Sequence, residues 1–227
     1  MGPLPQPVAA ELVYILAPES EFQLIDALTG DPTNWDGQPD SDLAEASRKV
    51  SGHWAEGELQ YLLTRGIIAP GQLNPDAAMS RSQAVTLLLH RSREARGRTI
   101  RPVVLPYADL PTSHGAYDAV RAAWLEGWLR PAPDEKAFRP DAPVTRAEFV
   151  VWAARALGLG ELARSGLAVR SEYTDLAGLP AEQRNAAVFL QALGLLNPGA
   201  AFRGSDPMTQ AEGAALTVRI YNYLVAR

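Results

Sequence analysis

Apolar residues recur every three or four positions in six segments between residues 45 and 226. This period places the apolar side chains on one face of a helix. Three segments carry Ala55, Leu59, Leu62 and Leu63; Ala116, Val120, Ala123, Trp124 and Gly127; and Ala186, Phe189, Leu190 and Leu193. The other three carry Val85, Leu88 and Leu89; Phe149, Trp152, Ala153, Ala156 and Leu157; and Leu216, Ile220, Tyr223 and Leu224. The pattern predicts six amphipathic helices and an all-α fold with at most short extended pieces.

The first helix of each predicted pair ends at a glycine that two apolar residues follow. These glycines are Gly66, Gly127 and Gly194. Glycine can adopt the left-handed conformation that terminates a helix, and the apolar pair can then fold back onto the last turn. A loop that contains proline leads from each glycine to the next helix.

A recurring phrase opens the second helix of each pair. Ser80, Thr145 and Thr209 stand at intervals of 65 and 64 residues, and Gln83, Glu148 and Glu212 follow three positions after them. This spacing is that of a capping box, in which each side chain bonds to the other residue's backbone amide. A helix-loop-helix unit too small to bury its own apolar face must share a core with its copies. We therefore predict repeats over residues 45–100, 101–166 and 167–227.

Residues 1–44 do not join the repeat and are predicted to form an N-terminal extension. Val8 to Leu16 is an apolar run of undetermined type. Residues 20–23 match a capping box, and Gly30 can end a helix, so this segment is predicted to form a short helix. Residues 31–40 are rich in Pro, Gly, Asp and Asn and predict a loop.

The composition argues against several classes of function. A formal net charge of −5 gives no general attraction to nucleic acid or to anionic membranes. One basic cluster exists, at Arg91, Arg93, Arg96, Arg98 and Arg101, and without interleaved aromatic residues it reads as a solvated helix end. The absence of cysteine excludes disulfides and thiolate metal sites. No apolar run approaches the roughly 20 residues that span a bilayer, so membrane insertion is not expected.

The second position of the repeated phrase is not explained by helix formation. It holds Arg81, Arg146 and Gln210. An arginine in the first turn opposes the positive end of the helix dipole, so its presence in two copies indicates another role. Its planar fork of donors suits a carboxylate or a phosphate, and a helix N-terminus offers amide donors beside it. The sequence predicts that an anion binds there.

Residues 145–149, Thr-Arg-Ala-Glu-Phe, resemble the signature of the S-layer homology repeat. Further elements of the resemblance are Phe138-x-Pro140, Tyr107-x-Asp109 and Gly52-His53-Trp54-Ala55. It covers about residues 45 to 226 in three copies, of which the first and third diverge. The resemblance implies a pseudo-three-fold helical bundle. It also implies non-covalent attachment of surface proteins to bacterial cell-wall polysaccharide, often a pyruvylated secondary polymer, in grooves between the repeats.

The resemblance also implies a set of ligand-binding residues. Arg146 would face the ketal carboxylate, and Arg81 would do so in its own groove. Trp54 and Trp128 are the candidates for groove walls, whereas Trp124 and Trp152 lie on apolar stripes and are expected in the core. The candidate set is therefore Arg146, Arg81, Glu148, Gln210, Trp54 and Trp128. Because the third copy has Gln210 in place of arginine and the first has lost the acid, at most two of the three grooves are expected to be competent.

No pattern in the sequence points to catalysis. His53, His90 and His114 lie in no metal-ligand spacing and read as structural or surface residues. Asp109 and Asp175 precede the first helices of two copies and read as turn or cap residues. We expect a non-catalytic module that needs no cofactor or metal.

Two functions remain open at this point. The first is anchoring at the bacterial cell surface through wall polysaccharide, with other surface or S-layer proteins as further partners, although residues 1–5 show no signal peptide. The second is a protein-interaction or assembly scaffold that keeps the fold and has lost the glycan.

Overall fold

The computed structural model of the protein describes the backbone of residues 12–16, 22–26 and 32–33, and the backbone and side chains of residues 40–89, 103–130, 136–165, 170–199 and 201–226. The chain divides into two units, residues 1–74 and 75–227. This boundary falls inside the predicted repeat 45–100, and the repeat boundaries stay a prediction. The basic cluster and His90 lie outside the described residues.

The first unit begins with a three-stranded antiparallel sheet. Strands β1 (Leu12–Leu16), β2 (Phe22–Asp26) and β3 (Pro32–Thr33) pair in that order, with Leu12 opposite Asp26 and Leu24 opposite Thr33. The predicted helix over residues 20–30 is therefore wrong. A short segment satisfies few backbone groups as a helix, whereas the apolar run before it supplies a partner strand for every position of β2.

Two helices follow in the same unit. Helix α1 (Ser41–Val50) adds to the predicted elements, and the carboxylate of Asp40 caps it by accepting from the amide of Leu43 at 3.0 Å. Helix α2 (Glu56–Thr64) is the predicted first helix of the first copy. Ala46, Val50 and Leu59 on these helices are buried.

The regular elements of the second unit, in its described residues, are all helices, which confirms the predicted all-α class. Its helices are α3 (Arg81–Leu89), α4 (Tyr117–Leu125), α5 (Arg146–Ala156), α6 (Gly160–Arg164), α7 (Ala181–Ala192) and α8 (Gln210–Val225). All except α6 match predicted helices. α6 is a single extra turn that packs on α5 and α7.

The three predicted terminating glycines are confirmed. Gly66, Gly127 and Gly194 have φ values of +64°, +80° and +73°. In the last case the amide of Leu195 returns to the carbonyl of Leu190 at 2.9 Å, which is the bond that closes a Schellman-type end.

A closed cycle of backbone hydrogen bonds joins the three segments that lead into α3, α5 and α8. The amide of Met79 donates to the carbonyl of Met208 at 2.7 Å, Val144 donates to Met79 at 2.9 Å, and Met208 donates to Val144 at 2.9 Å. All three residues are buried. Each copy therefore donates to one neighbour and accepts from the other, so the three helices start around a common centre.

The first backbone amides of each helix also find hydrogen-bond acceptors in the neighbouring copy. At the first helical position, Arg81 donates to Ala142 at 2.9 Å and Arg146 donates to Asp206 at 3.0 Å. Gln210 makes the matching bond to Ala77 at 3.0 Å. The amides at the second position donate in the same way to Pro140, Gly204 and Pro75.

The capping boxes bond the amides at the third position. The hydroxyls of Ser80, Thr145 and Thr209 each accept from the amide three residues on, at 3.2 Å. The expectation that these helix N-termini offer amides to an anion is therefore wrong, because carbonyls of the neighbouring copy and the capping hydroxyls already accept from them.

Replacing Thr209 by alanine should lower the free energy of unfolding by about 1 kcal/mol, because the amide of Glu212 loses its acceptor. Urea denaturation followed by circular dichroism measures this. Thr86→Ala is the control, since the hydroxyl of Thr86 only bonds the carbonyl of Ser82 within its own helix. A loss for Thr209→Ala no larger than that of the control would contradict the assigned capping role.

Candidate functional site

Two aspartates fix the loops that precede α5 and α8. The carboxylate of Asp109 accepts from the amides of Phe138 and Arg139, both at 2.7 Å. Asp175 accepts from Phe202 at 2.8 Å and from Arg203 at 2.7 Å. The predicted turn role of both aspartates matches this geometry, which sets the positions of the two phenylalanine carbonyls.

The left-handed backbone of the two loop arginines accompanies this turn. Arg139 and Arg203 both have φ of +56°, a conformation that is uncommon outside glycine and asparagine. The strain, of order 1 kcal/mol or more, persists because the aspartate holds two successive amides in place.

Arg81 is enclosed by the loop and by helix α5. Its Nε donates to the carbonyl of Phe138 at 2.7 Å, and its Nη1 makes an ion pair with the carboxylate of Glu148. The guanidinium also lies over the rings of Phe138 and Trp152, at 5.2 and 5.0 Å from their centres. Only 6% of its side-chain surface is exposed.

Arg146 repeats this arrangement one step further round the cycle. Its Nε donates to the carbonyl of Phe202 at 2.9 Å, and its Nη1 lies 2.5 Å from the carboxylate of Glu212. The guanidinium lies over the ring of Phe202 at 5.8 Å. In both copies, then, the arginine at the first helical position pairs with the glutamate at the third position of the next helix.

The third step of the cycle carries neither charge. Gln210 and Gln83 occupy the positions that correspond to Arg81 and Glu148, because the backbone bonds run in the same direction at each step. Gln210 is 6% exposed, so an arginine there would be a buried cation facing a neutral amide. The two departures from the repeated phrase thus fall on one step and compensate each other.

A cavity of about 190 Å³ lies between α5 and α7. Its wall includes three arginines, two glutamates and a tryptophan: Arg81, Arg130, Arg155, Glu148, Glu182 and Trp152. The three cations against two carboxylates give the lining a positive balance. The cavity therefore brings cations and an aromatic ring together around open space.

Arg155 and Glu182 join the two helices that flank the cavity. Nε and Nη2 of Arg155 each donate to one oxygen of Glu182 at 2.8 Å, a bidentate pair. Arg164 adds a longer contact to the same carboxylate, at 3.3 Å. Hydrogen bonds from Arg155, against the opposing effect of burial, hold the pKa of Glu182 below its usual value.

The structure brings together some of the predicted site residues and separates others. Arg81 and Glu148 line the cavity, whereas Arg146 and Gln210 are not part of its wall. Trp54 belongs to the first unit and is 63% exposed. The expectation for Trp128 is wrong: it is 2% exposed, buried in the core because the chain folds back after Gly127.

Sequence reasoning missed three residues of the cavity wall. Arg130, Arg155 and Glu182 lie outside the repeated phrase, and no spacing in the sequence relates them. Trp152 was expected in the core, and it is buried there while one edge faces the cavity. The bidentate partner of Arg155 could have been sought among the acids of the following helix, but its identity depends on how α5 and α7 cross.

Two histidines have a local structural role. The Nδ1 of His53 accepts from the amide of Ala55 at 3.1 Å, and that of His114 accepts from Ala116 at 3.0 Å. Among the described residues, no three His, Asp or Glu side chains converge where a metal could bind. No helix in that part of the chain combines the length and apolarity needed to cross a bilayer.

Gln210→Arg alone should lower the free energy of unfolding by about 3 kcal/mol, because it buries an unpaired cation. Gln83→Glu together with Gln210→Arg should recover at least about 1 kcal/mol of that loss through the new ion pair. Urea denaturation of the wild type, both single variants and the double variant measures the coupling. Additive effects of the two substitutions would show that positions 83 and 210 do not face each other.

Asp175→Asn should make the free energy of unfolding fall less steeply as the pH is lowered into the acid range. Amide hydrogen bonds from Phe202 and Arg203 hold the pKa of Asp175 below its ordinary value. A lowered native pKa contributes stability that is complete above the unfolded value, about 3.9, and is lost as the pH falls through the native value. Urea denaturation between about pH 5 and pH 2.5 tests this. Asp118→Asn, at an exposed site on α4, is the control and should leave this fall as steep as in the wild type.

Residues 49–85 and 106–150 match the family model of the S-layer homology domain. No relative of curated function matches the chain. The matched segments contain Arg81, the Asp109 turn, Arg146 and Glu148. S-layer homology domains are non-catalytic modules that attach proteins to the cell wall. Over these two segments the chain is therefore similar to the S-layer homology domain.

Proposed function

We propose that this protein is a non-catalytic anchoring module that binds an anionic, pyruvylated secondary cell-wall polysaccharide outside the cell. The cavity between α5 and α7 carries the proposal. It offers cationic and aromatic groups in a chain of net charge −5, so the local positive balance is not a property of the whole surface.

The size of the cavity suits one residue of a polymer. At about 190 Å³ it is smaller than the roughly 300–1,000 Å³ of pockets that enclose drug-sized ligands. A polysaccharide would therefore place one acidic sugar or end group inside and leave the rest of the chain outside.

Arg81 and Arg146 keep their proposed roles as contacts to the ketal carboxylate, each beside the glutamate that already pairs with it. An incoming carboxylate would share the guanidinium with Glu148 or Glu212, since an arginine fork has five donor hydrogens. Arg81 is the better placed of the two because it lines the cavity.

A second candidate function is a protein-interaction scaffold without glycan. The observation that favours it is the internal pairing of Arg81 and Arg146, which reduces the charge that either arginine offers to a ligand. Under this alternative the chain would not sediment with purified wall and would form a defined complex with a surface protein.

The double variant Arg81→Gln/Glu148→Gln should weaken binding to purified pyruvylated wall polymer about tenfold, because it removes a charge-assisted contact worth about 1.5 kcal/mol. It should fold, since the chain already carries glutamines at both corresponding positions, Gln210 and Gln83, of another step of its cycle. Calorimetry measures binding, and circular dichroism checks the fold.

The matching variant Arg146→Gln/Glu212→Gln measures the second proposed contact in the same way. Wild-type protein that binds no wall polymer would overturn the anchoring function. Equal binding by the wild type and both double variants would overturn the roles of Arg81 and Arg146 only.

A further inference from the structure

The charges around the cavity leave one cation that no described acid neutralises. Arg81 pairs with Glu148, and Arg155 pairs with Glu182. Arg130 is exposed at the same wall and makes no ion pair with any residue in the described ranges. The positive balance of the cavity is therefore the charge of Arg130.

One hydrogen bond holds the guanidinium of Arg130, and another holds the backbone of the same residue. Its Nε donates to the carbonyl of Gly127 at 2.9 Å, and its own backbone carbonyl accepts from Nη1 of Arg155 at 3.4 Å. A Cβ atom at position 127 would lie 3.3 Å from Nη2 of Arg130. Gly127 thus ends α4 in the left-handed conformation and also leaves room for the guanidinium to lie against the turn.

Arg130 lines the cavity, and its two terminal nitrogens make no ion pair with an acid in the described ranges, so they remain as donors at the cavity wall. An arginine fixed at Nε has already lost much of the side-chain freedom that binding would otherwise remove. Its terminal nitrogens can bond the two oxygens of a carboxylate in a planar, bidentate arrangement. Arg81 and Arg155 have their nitrogens engaged by Glu148 and Glu182 and are less suited to this role.

We propose that Arg130 is a further residue that binds the carboxylate of an acidic sugar in this cavity, in addition to the contact proposed for Arg81. The inference rests on the proposed function and deepens it: Arg130 would distinguish an acidic polymer from a neutral one, while the buried pairs Arg81–Glu148 and Arg155–Glu182 shape the cavity around it. The ligand chemistry is a sugar residue that bears a carboxylate near the end of the polymer or along it.

The experiment compares two probes and four proteins by calorimetry. The probes are purified pyruvylated wall polymer and the same polymer after mild acid has removed the ketal. The proteins are the wild type, Arg130→Gln, Arg130→Lys and the control Arg170→Gln. Arg170 is exposed and does not line the cavity, so Arg170→Gln removes the same charge elsewhere.

We expect Arg130→Gln to lose about tenfold in affinity for the pyruvylated polymer and to bind the stripped polymer as the wild type does. Arg130→Lys keeps the charge without the fork and should lose less. Arg170→Gln should match the wild type with both probes.

Wild type that binds the pyruvylated polymer together with Arg130→Gln that binds it equally well would overturn the assignment of Arg130 and leave the anchoring function standing. Wild type that binds neither probe would overturn both. Equal losses for Arg130→Gln and Arg170→Gln would show that the effect is one of net charge, which also overturns the assignment.

Discussion

The helical unit depends on the closed cycle of hydrogen bonds among Met79, Val144 and Met208. Each bond is of ordinary length, but the three lie in a buried centre where an unmade bond would leave an unpaired polar group. The cycle fixes where α3, α5 and α8 begin and how far each is turned about its axis. The side chain at the first position of one helix consequently meets the third position of the next.

The ion pairs are consequences of that register. An arginine at the first turn of an isolated helix is mildly unfavourable, yet Arg81 and Arg146 each reach a glutamate on the neighbouring helix. Replacing a buried ion pair by a neutral pair often costs little stability. This explains how the step with Gln210 keeps the same backbone bonds as its charged counterparts.

Local signals in the sequence predicted the helices, their glycine ends and the capping boxes, because each depends on residues within one turn. The amide partners at the helix starts could not be predicted in this way, since Arg81 bonds a carbonyl 61 positions away, at Ala142. Periodicity predicted the burial of Trp152, which lies on an apolar stripe, but it does not show which part of that face borders open space, so its place at the cavity wall could not be predicted. Trp128 follows the end of a helix, where periodicity makes no prediction about burial.

The helix predicted over residues 20–30 is wrong for a related reason. A capping phrase and a terminal glycine favour a helix locally, but the preceding apolar run offers a strand partner, and pairing satisfies the backbone of both segments. The wall residues of the cavity also could not be predicted from local sequence, because they come from segments that meet only in the folded structure. Arg155 and Glu182 come together because α5 and α7 pack against each other, which no single segment encodes.

The hydrogen-bonded cycle has a consequence for how such a chain can change in length. Linear solenoids grow or shrink by single units, because each unit contacts only its neighbours and an end can be capped. A closed ring has no end and cannot change in length by one unit. Removing one copy would leave an unpaired donor on one neighbour and an unpaired acceptor on the other. Duplication and loss in this architecture must therefore proceed by whole rings, and variation within a ring is confined to substitutions such as the paired glutamines.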